Sequence, residues 1–265
     1  MKLLSLALLV LALPASAQDA DGYLKAFDGK VYSLKSKGVK EFVVDIESSK
    51  LTKQMNDQQT FGKIGKLVFR TFWTASPERL DIVVEGMPEG FKEVKEELKA
   101  SVLGVVENLL PPTTAQKFPG YKFTQAKGSK EVVATDGTGV APIPSFVLRF
   151  DAQDRLTEVL GRKPVGEFVS KPTYEREAFS DGKLVLKKLE TTTSERGQTL
   201  VMRKDLRYSK ADGIGVLSEV EITTEQKGQK PQAKPTVISE TVTFKNYKIN
   251  SGEALKHFLN KSQAE

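Results

Sequence analysis

The segment that most constrains the fold runs from Phe91 to Leu110, because it is the one long helical pattern in the middle of a chain that otherwise alternates like strands. Its apolar residues recur every three or four positions and form one stripe. The stripe consists of Phe91, Val94, Leu98, Val102, Val105 and Leu109. Pro111 and Pro112 should end the helix, since the residue before a proline is disfavoured in the α region. A lone amphipathic helix among strands needs a concave sheet to cover its stripe.

The second half of this helix carries additional apolar residues and fewer charges than the first half. Leu103, Val106 and Leu110 widen the apolar arc there. We therefore expect the charged start to contact solvent and the end, from Val102 to Leu110, to fill the hollow of the sheet. Gly104 lies between the two halves and is a candidate weak point.

The N-terminus has the pattern of a secretory signal peptide. Lys2 precedes an apolar run from Leu3 to Leu13, and Ala15-Ser16-Ala17 is a small-x-small cleavage site. We expect residues 1–17 to be removed and residues 18–265 to form a single domain. The expected location is the periplasm, with secretion as the alternative.

Composition excludes several functional classes. There is no cysteine, so we expect neither disulfides, thiol chemistry nor a lipid-anchoring cysteine. The formal net charge of +6 is mild, and charges of both signs are interspersed. We therefore predict no nucleic-acid partner. Apolar residues make up 39% of the chain, which suffices for a sizeable core.

Strand patterns occupy most of the remaining chain. Three strands are expected before the helix, around Phe42 to Ile46, Lys66 to Trp73 and Leu80 to Glu85. The second of these is apolar on both faces, which predicts a central strand covered on two sides. An amphipathic helix from Gln18 to Lys37, ended by Gly38, should precede them.

The second half of the sequence predicts an antiparallel meander of nine strands: Tyr121 to Ala126, Lys130 to Thr135, Ser145 to Asp151, Arg155 to Gly161, Thr173 to Phe179, Lys183 to Thr193, Gln198 to Tyr208, Ile214 to Thr224 and Thr236 to Ile249. Asp136-Gly137, Asp181-Gly182 and Asp212-Gly213 provide the positive φ angles of tight turns. In the last strand the apolar pattern changes face, so a bulge is expected near Lys245-Asn246. Lys227 to Pro235 should form a polar tip between two strands. Ala254, Leu255, Phe258 and Leu259 predict a short closing helix.

No catalytic or metal-binding constellation is evident in the sequence. His257 is the only histidine and has no partners at workable spacing, and Ser251-Gly252 is not a nucleophile turn. Asp151 to Asp154 and Asp136 to Gly139 are better interpreted as turns than as ion or phosphate loops. We expect no enzymatic activity, cofactor or metal. A hydrolase with paired carboxylates is still open, because such pairs leave little trace in sequence.

The apolar surplus suggests a binding function. A half-barrel covered by helices cannot always fill its concave side, and acyl chains gain about 0.8 kcal/mol for each CH₂ removed from water. Each of these residues could equally be ordinary core. The predicted lining consists of Leu67, Phe69, Trp73, Leu80, Ile82, Phe91, Val94, Leu98, Val102, Val105, Leu109, Phe146, Leu148, Leu200 and Met202.

Several motifs, in this order, resemble a known superfamily. They are the signal peptide, Leu34 to Lys37, Gly65-Lys66-Leu67, Trp73, Ser76-Pro77, Phe150 to Leu156 and Thr241 to Tyr247. This arrangement is similar to that of the periplasmic lipoprotein carriers and outer-membrane lipoprotein-sorting proteins of the LolA/LolB-like fold. The family's arginine-proline pair is Ser76-Pro77 here, so the chain resembles a divergent member. The resemblance implies an unclosed antiparallel barrel that carries acyl chains under helices.

The sequence thus predicts a β-dominated α+β fold: a strongly curved antiparallel sheet of about ten strands, an unclosed barrel, with amphipathic helices in its concave side. The expected function is that of a monomeric periplasmic carrier for lipid or lipoprotein acyl chains, with a helix lid and possible envelope membrane partners. The alternative is an envelope protein-protein interaction module that uses a sheet edge or the Lys227 to Pro235 tip.

Overall fold

The structure is a computed structural model that describes residues 17–57, 64–228 and 235–264. Of the predicted signal peptide only Ala17 lies within the described residues. Most of the predicted tip, residues 229–234, also lies outside them.

The described residues form five α-helices, which are interspersed among the strands. Asp19 begins the first helix by accepting a hydrogen bond from the Gly22 N–H at 3.0 Å. The helices are α1 Ala20–Lys30, α2 Ser49–Asp57, α3 Lys92–Val106, α4 Thr114–Lys117 and α5 Glu253–Ala264, and a 3₁₀ turn spans Lys35–Lys37.

All thirteen strands of the described residues belong to one antiparallel sheet. They are β1 Ala17–Gln18, β2 Glu41–Ser48, β3 Val68–Ala75, β4 Glu78–Glu85, β5 Tyr121–Ala126, β6 Glu131–Asp136, β7 Ser145–Phe150, β8 Leu156–Lys163, β9 Gly166–Arg176, β10 Leu184–Glu195, β11 Gln198–Ala211, β12 Ile214–Lys227 and β13 Thr236–Ile249. The strand order is β1-β5-β6-β7-β8-β9-β10-β11-β12-β13-β2-β3-β4, so β1 and β4 are the two edges. The sheet is unclosed, with half of the residues in strands, and the predicted fold class is confirmed.

Residues with positive φ angles at turns and at one bulge account for the path of the antiparallel meander. Asp212 and Gly213, with φ of 50° and 78°, form the two-residue turn between β11 and β12. The predicted bulge in β13 is confirmed, because the register with β2 shifts between Lys245 and Lys248. Asn246 has a φ of 54° and donates a hydrogen bond to Asp45 at 2.9 Å. The turn at Asp136-Gly137 differs from the prediction, since Gly139, not Gly137, has the positive φ.

Three predicted elements need correction. The N-terminal helix ends at Lys30, because Val31 is extended and forms a bridge with Leu184. β3 lies next to the edge strand β4 and is not central. β9 begins at Gly166, earlier than the pattern indicated, and continues through Pro172 beside a β-bulge between Leu186 and Lys188.

Two apolar clusters lie on the sheet. In the first, Leu98, Val102 and Val106 of α3 pack with buried residues of β2, β3 and β11 to β13. Its centre is the stacked pair Phe42 and Trp73, with ring centroids 5.3 Å apart. In the second, Leu24 and Phe27 of α1 pack on strands β6 to β8.

α3 covers the sheet with the narrow stripe. Leu98, Val102 and Leu109 are buried, and the early charged residues Lys92 and Glu93 are exposed, as predicted. The prediction of a wider apolar arc in the second half of the helix is wrong at Leu103, which is 47% exposed. The α-helix ends at Val106, and hydrogen bonds to the Val106 carbonyl continue the turn to Leu110.

The opposite face of β3 is covered by α5. Phe72 alternates with the core residues Thr71 and Trp73, and its ring stacks on His257 of α5 at 3.9 Å. The prediction that β3 is covered on two sides is therefore confirmed. The closing helix is also confirmed, with Ala254 and Phe258 buried against the sheet.

Candidate ligand-binding site

A cavity of about 340 Å³ opens where the end of α3, the proline connection, α1 and the sheet converge. Residues 107–110, which directly follow α3, line it together with the proline connection, and strands β9 to β12 contribute the lining residues of the sheet. Its main lining residues are Phe27, Asp28, Tyr32, Lys35, Glu107, Asn108, Leu109, Leu110, Pro111, Pro112, Gln116, Lys117, Tyr174, Leu186, Leu189, Lys204, Tyr208, Gly215 and Leu217. The cavity thus lies beside members of both apolar clusters and is itself of mixed polarity.

Tyr32 and Gly215 fix one wall of the cavity. The Tyr32 hydroxyl donates a hydrogen bond to the Gly215 carbonyl at 2.7 Å, and the Tyr32 ring meets Phe179 edge-on at 5.3 Å. A Cβ at position 215 would lie only 2.0 Å from the Phe179 ring. Glycine is therefore required here for close packing between β12 and the segment that follows β9.

The connection after α3 is held in place by α1. Thr114 donates its backbone N–H and its hydroxyl to the Asp28 carboxylate, the hydroxyl at 2.7 Å. Thr113 and Gln116 form a reciprocal capping box at the start of α4. These bonds position Lys117, the last residue of α4, at the cavity.

Lys117 and Lys204 bring positive charge to the cavity from elements far apart in sequence. Burial lowers the pKa of both ammonium groups, and nearby Glu107 partly offsets that effect for each. Asp28 acts in the same direction as Glu107 on Lys117. Although Lys117 keeps solvent-exposed surface, it lies in a recess where protein atoms displace part of its hydration.

Three tyrosines of the cavity remain protonated at neutral pH. Burial raises the pKa of Tyr32 to about 12, and it also raises the pKa of Tyr174 and Tyr208. The Tyr208 hydroxyl donates to the Leu186 carbonyl at 3.1 Å. Tyr174 packs its ring edge-on against Phe27 at 6.0 Å. The hydroxyl protons of Tyr32 and Tyr208 are thus already donated to backbone carbonyls, which leaves the Tyr174 hydroxyl as the tyrosine donor available to a ligand among the described residues.

The arrangement is suited to binding. Asp28 and Glu107 are both at the cavity, but both oxygens of Asp28 accept hydrogen bonds from Thr114, so its carboxylate holds the connection in place. Among the described residues, no group of three or more histidine or carboxylate side chains could hold a metal ion. His257 lies on the outer face, 2.7 Å from Asp81.

The two acidic loops singled out in the sequence form turns, as predicted. Asp151 accepts hydrogen bonds from the backbone N–H groups of Gln153 and Arg155, each at 2.9 Å. Asp136 accepts from the backbone N–H groups of Thr138 and Ala141. The Asp136 carboxylate has a pKa lowered to about 2 by these bonds, which stabilise its charged form in a purely local turn.

The predicted lining residues are mostly packed away from this cavity. Leu109 alone among them lines it. Those buried in the two clusters are Leu67, Phe69, Trp73, Ile82, Leu98, Val102, Leu109 and Leu148, while Phe91, Val94, Val105 and Phe146 are partly buried against them. Met202 is half-buried, whereas Leu80 and Leu200 are 40% and 42% exposed. Lipid contact by these residues stays a prediction.

Sequence reasoning missed the polar residues of the cavity and two helices. α2 had a readable signal, because Ser48 accepts the Leu51 N–H at 3.0 Å as an N-cap and Leu51 and Met55 are four residues apart. The capping box of α4 was also readable in Thr113 and Gln116. Nothing local distinguishes Lys117 and Lys204 from ordinary surface lysines.

The fold and the cavity define a class: a curved, open antiparallel sheet with helices and a small mixed cavity on one side. No protein-family model matches the chain, and no similar curated protein or solved structure is found. Among the described residues, no helix has the length and apolar character required to cross a membrane.

Proposed function

We propose that this chain is a periplasmic carrier of lipid or lipoprotein acyl chains, with α3 as the lid. The cavity between the end of α3, α1 and the sheet is the observation that supports it most. The cavity is adjacent to Leu109 and Leu110, in the turn that directly follows α3, and to Leu186, Leu189 and Leu217 of the sheet. The signal-peptide pattern and the resemblance to the LolA/LolB-like superfamily support the location.

The volume limits what can bind without a conformational change. About 340 Å³ is at the lower end of the roughly 300 to 1,000 Å³ typical of small-ligand pockets. A single chain can enter as the cavity stands, whereas a ligand with several acyl chains requires α3 to move. Each CH₂ buried contributes about 0.8 kcal/mol, so even one short chain provides useful affinity.

Lid movement is compatible with how α3 is held. The helix packs by one stripe, and its outer side, including Leu103 and Gly104, faces solvent. Shifting the helix would expose Val102 and Val106, at about 1.5–3 kcal/mol for each apolar side chain, unless a ligand chain replaced the lost contacts. An acyl chain is such a replacement.

The direct test is to recover the protein from its native host and analyse the extract for bound lipid. Binding of a fluorescent fatty acid by the delipidated protein gives a second measurement. Leu189→Trp should fill the cavity and reduce binding at least tenfold, whereas Leu200→Trp, at an exposed site, should not. Absence of lipid in the extract together with absence of fatty-acid binding would reject the proposal.

An envelope protein-protein interaction module is the second candidate, and the sheet edge favours it. Among the described strands, β4 pairs with β3 alone, and the exposed residues Glu78, Arg79 and Leu80 lie at its start. An edge of this kind can pair with a strand of another protein. Leu80→Lys should weaken partner capture without changing fatty-acid binding. Deleting residues 229–234 tests the tip separately.

A further inference from the structure

Lys117 and Lys204 differ from the third lysine of the cavity because neither forms an ion pair with a described carboxylate within 4 Å. Lys35, which also lines the cavity, is different. Its ammonium group pairs with Glu78 at 2.7 Å and lies 5.5 Å from the centre of the Trp73 ring. The Lys35 ammonium group already has a carboxylate partner within the protein, whereas those of Lys117 and Lys204 have no described carboxylate within ion-pair distance.

The neighbouring acids attract these two lysines through space, but neither acid forms a direct ion pair with them. Asp28 already accepts hydrogen bonds from the Thr114 backbone and hydroxyl. Glu107 acts on both lysines, but only through space and from an exposed position. Lys204 is half-buried, and a partly desolvated ammonium group without a paired anion carries a free-energy cost that a bound anion would lower, whereas Lys117 is exposed and adds its charge at the mouth of the cavity.

Neutral donors and apolar surface accompany the two charges. The phenol of Tyr174 lines the same cavity and remains protonated. Leu189, Leu186 and Leu217 provide apolar surface in the same recess. The cavity therefore combines cationic donors with an apolar wall, which is the complement of an anionic amphiphile.

We infer that the ligand carries an anionic head group, a carboxylate or a phosphate, which Lys117 and Lys204 bind while its chain lies against the leucines. This inference rests on the proposed function and specifies its ligand class. A charge-assisted hydrogen bond contributes enough for about a tenfold or larger preference over an uncharged head group. The preference should decrease as salt concentration rises, because the cavity is open to solvent.

Three ligands with the same chain test the inference: palmitate, palmityl phosphate and palmityl alcohol, each below its aggregation concentration. The full-length mature protein should bind one or both anions at least tenfold more tightly than the alcohol. Comparing the affinity for palmitate with that for palmityl phosphate shows whether the preferred head group is a carboxylate or a phosphate. Lys117→Gln combined with Lys204→Gln should abolish the preference, because the affinity for the anions should fall to about that for the alcohol.

Lys210→Gln is the matched control, since Lys210 lies on the same strand as Lys204, is exposed and does not line the cavity. It should retain the full preference. Thermal unfolding of all variants checks that they are folded, which we expect because none of the three lysines is fully buried or forms an ion pair with a described carboxylate. Equal affinity of the wild-type protein for alcohol and anions would overturn the inference but leave the proposed function intact. Binding of none of the three would reject both.

Discussion

Asp28 and Thr114 join α1 to the connection that follows α3, across 86 positions of sequence, through three hydrogen-bond contacts of 2.7 to 3.1 Å. Thr114 is buried and its side chain and backbone both donate to the same carboxylate. The proline connection is thereby fixed over the cavity, with Lys117 one helical turn beyond the contact. The two residues therefore link the stability of the fold to the shape of the cavity.

We predict that Asp28→Ala destabilises the protein by about 2 kcal/mol, because it leaves the donors of Thr114 without their acceptor. Equilibrium unfolding in urea measures the change. Thr114→Val should have a smaller effect, and the double variant should be less destabilised than the sum of the two, since the residues share one interaction. Asp21→Ala, an exposed change on the same helix, should cost less than about 1 kcal/mol. Additive effects of Asp28→Ala and Thr114→Val would contradict the coupling.

Docking of α5 should weaken in acid because of Asp81. Burial would raise the pKa of Asp81, but hydrogen bonds from His257 and Lys261 outweigh it and lower the pKa below its usual 3.8. A carboxylate with a lowered folded-state pKa stabilises the protein above its unfolded pKa, and that stability is lost as pH falls through the folded value. The wild-type protein should therefore lose its advantage over Asp81→Asn as pH falls below about 4. Urea unfolding across this range measures it, and a difference independent of pH would contradict the prediction.

Glu41 holds the start of α5 from the neighbouring strand. Its buried carboxylate accepts the backbone N–H groups of Gly252 and Leu255, the latter at 2.9 Å. We predict that Glu41→Gln destabilises the protein by about 1–3 kcal/mol, because the amide provides one acceptor where two are required. Hydrogen exchange should accelerate first in α5. Glu253→Gln breaks an exposed ion pair with Lys248 and should cost less than about 1 kcal/mol. Unchanged exchange in α5 would show that Glu41 does not hold it.

The sheet was predictable because each strand carries its own signal. Alternating residues such as Leu148 and Phe150, which are buried on either side of the exposed Arg149, show which face is buried, and pairs such as Asp212-Gly213 mark the hairpins. Most strands of the second half therefore lie within a few residues of their predicted bounds. Helix ends were less predictable, since Val31 leaves the helical pattern to pair with Leu184, a contact that exists only once the chain has folded.

The cavity was not predictable either, because it too is formed by contacts that exist only once the chain has folded. Apolar periodicity identifies residues that are buried, and Phe69 and Trp73 are buried, but it does not separate packed core from ligand contact. The cavity exists where α1, the connection after α3 and four strands converge. Lys204 lies on β11, the same strand as Arg203 and Arg207, which form ion pairs at the surface. The sequence around Lys204 offers nothing that separates it from them.

Gly104 provides a test of α3 as a moving lid. It lies inside the helix at an exposed position, and a Cβ added there would meet no atom within 4 Å. Alanine should therefore stabilise the helix, and the protein, by about 0.5–1 kcal/mol. If the helix bends at this residue to admit a ligand with several acyl chains, alanine should also slow both uptake and release of a fluorescent diacyl lipid in stopped-flow measurements.

Gly29→Ala is the matched control for this last prediction. Gly29 lies in α1, and a Cβ there would likewise meet no atom within 4 Å. It should add helix stability without changing the kinetics of ligand exchange. Slower exchange in Gly104→Ala alone supports bending of α3 at that residue. Equal exchange rates in Gly104→Ala, Gly29→Ala and the wild-type protein would mean that the lipid enters without bending the helix, beside the Asp28–Thr114 contact.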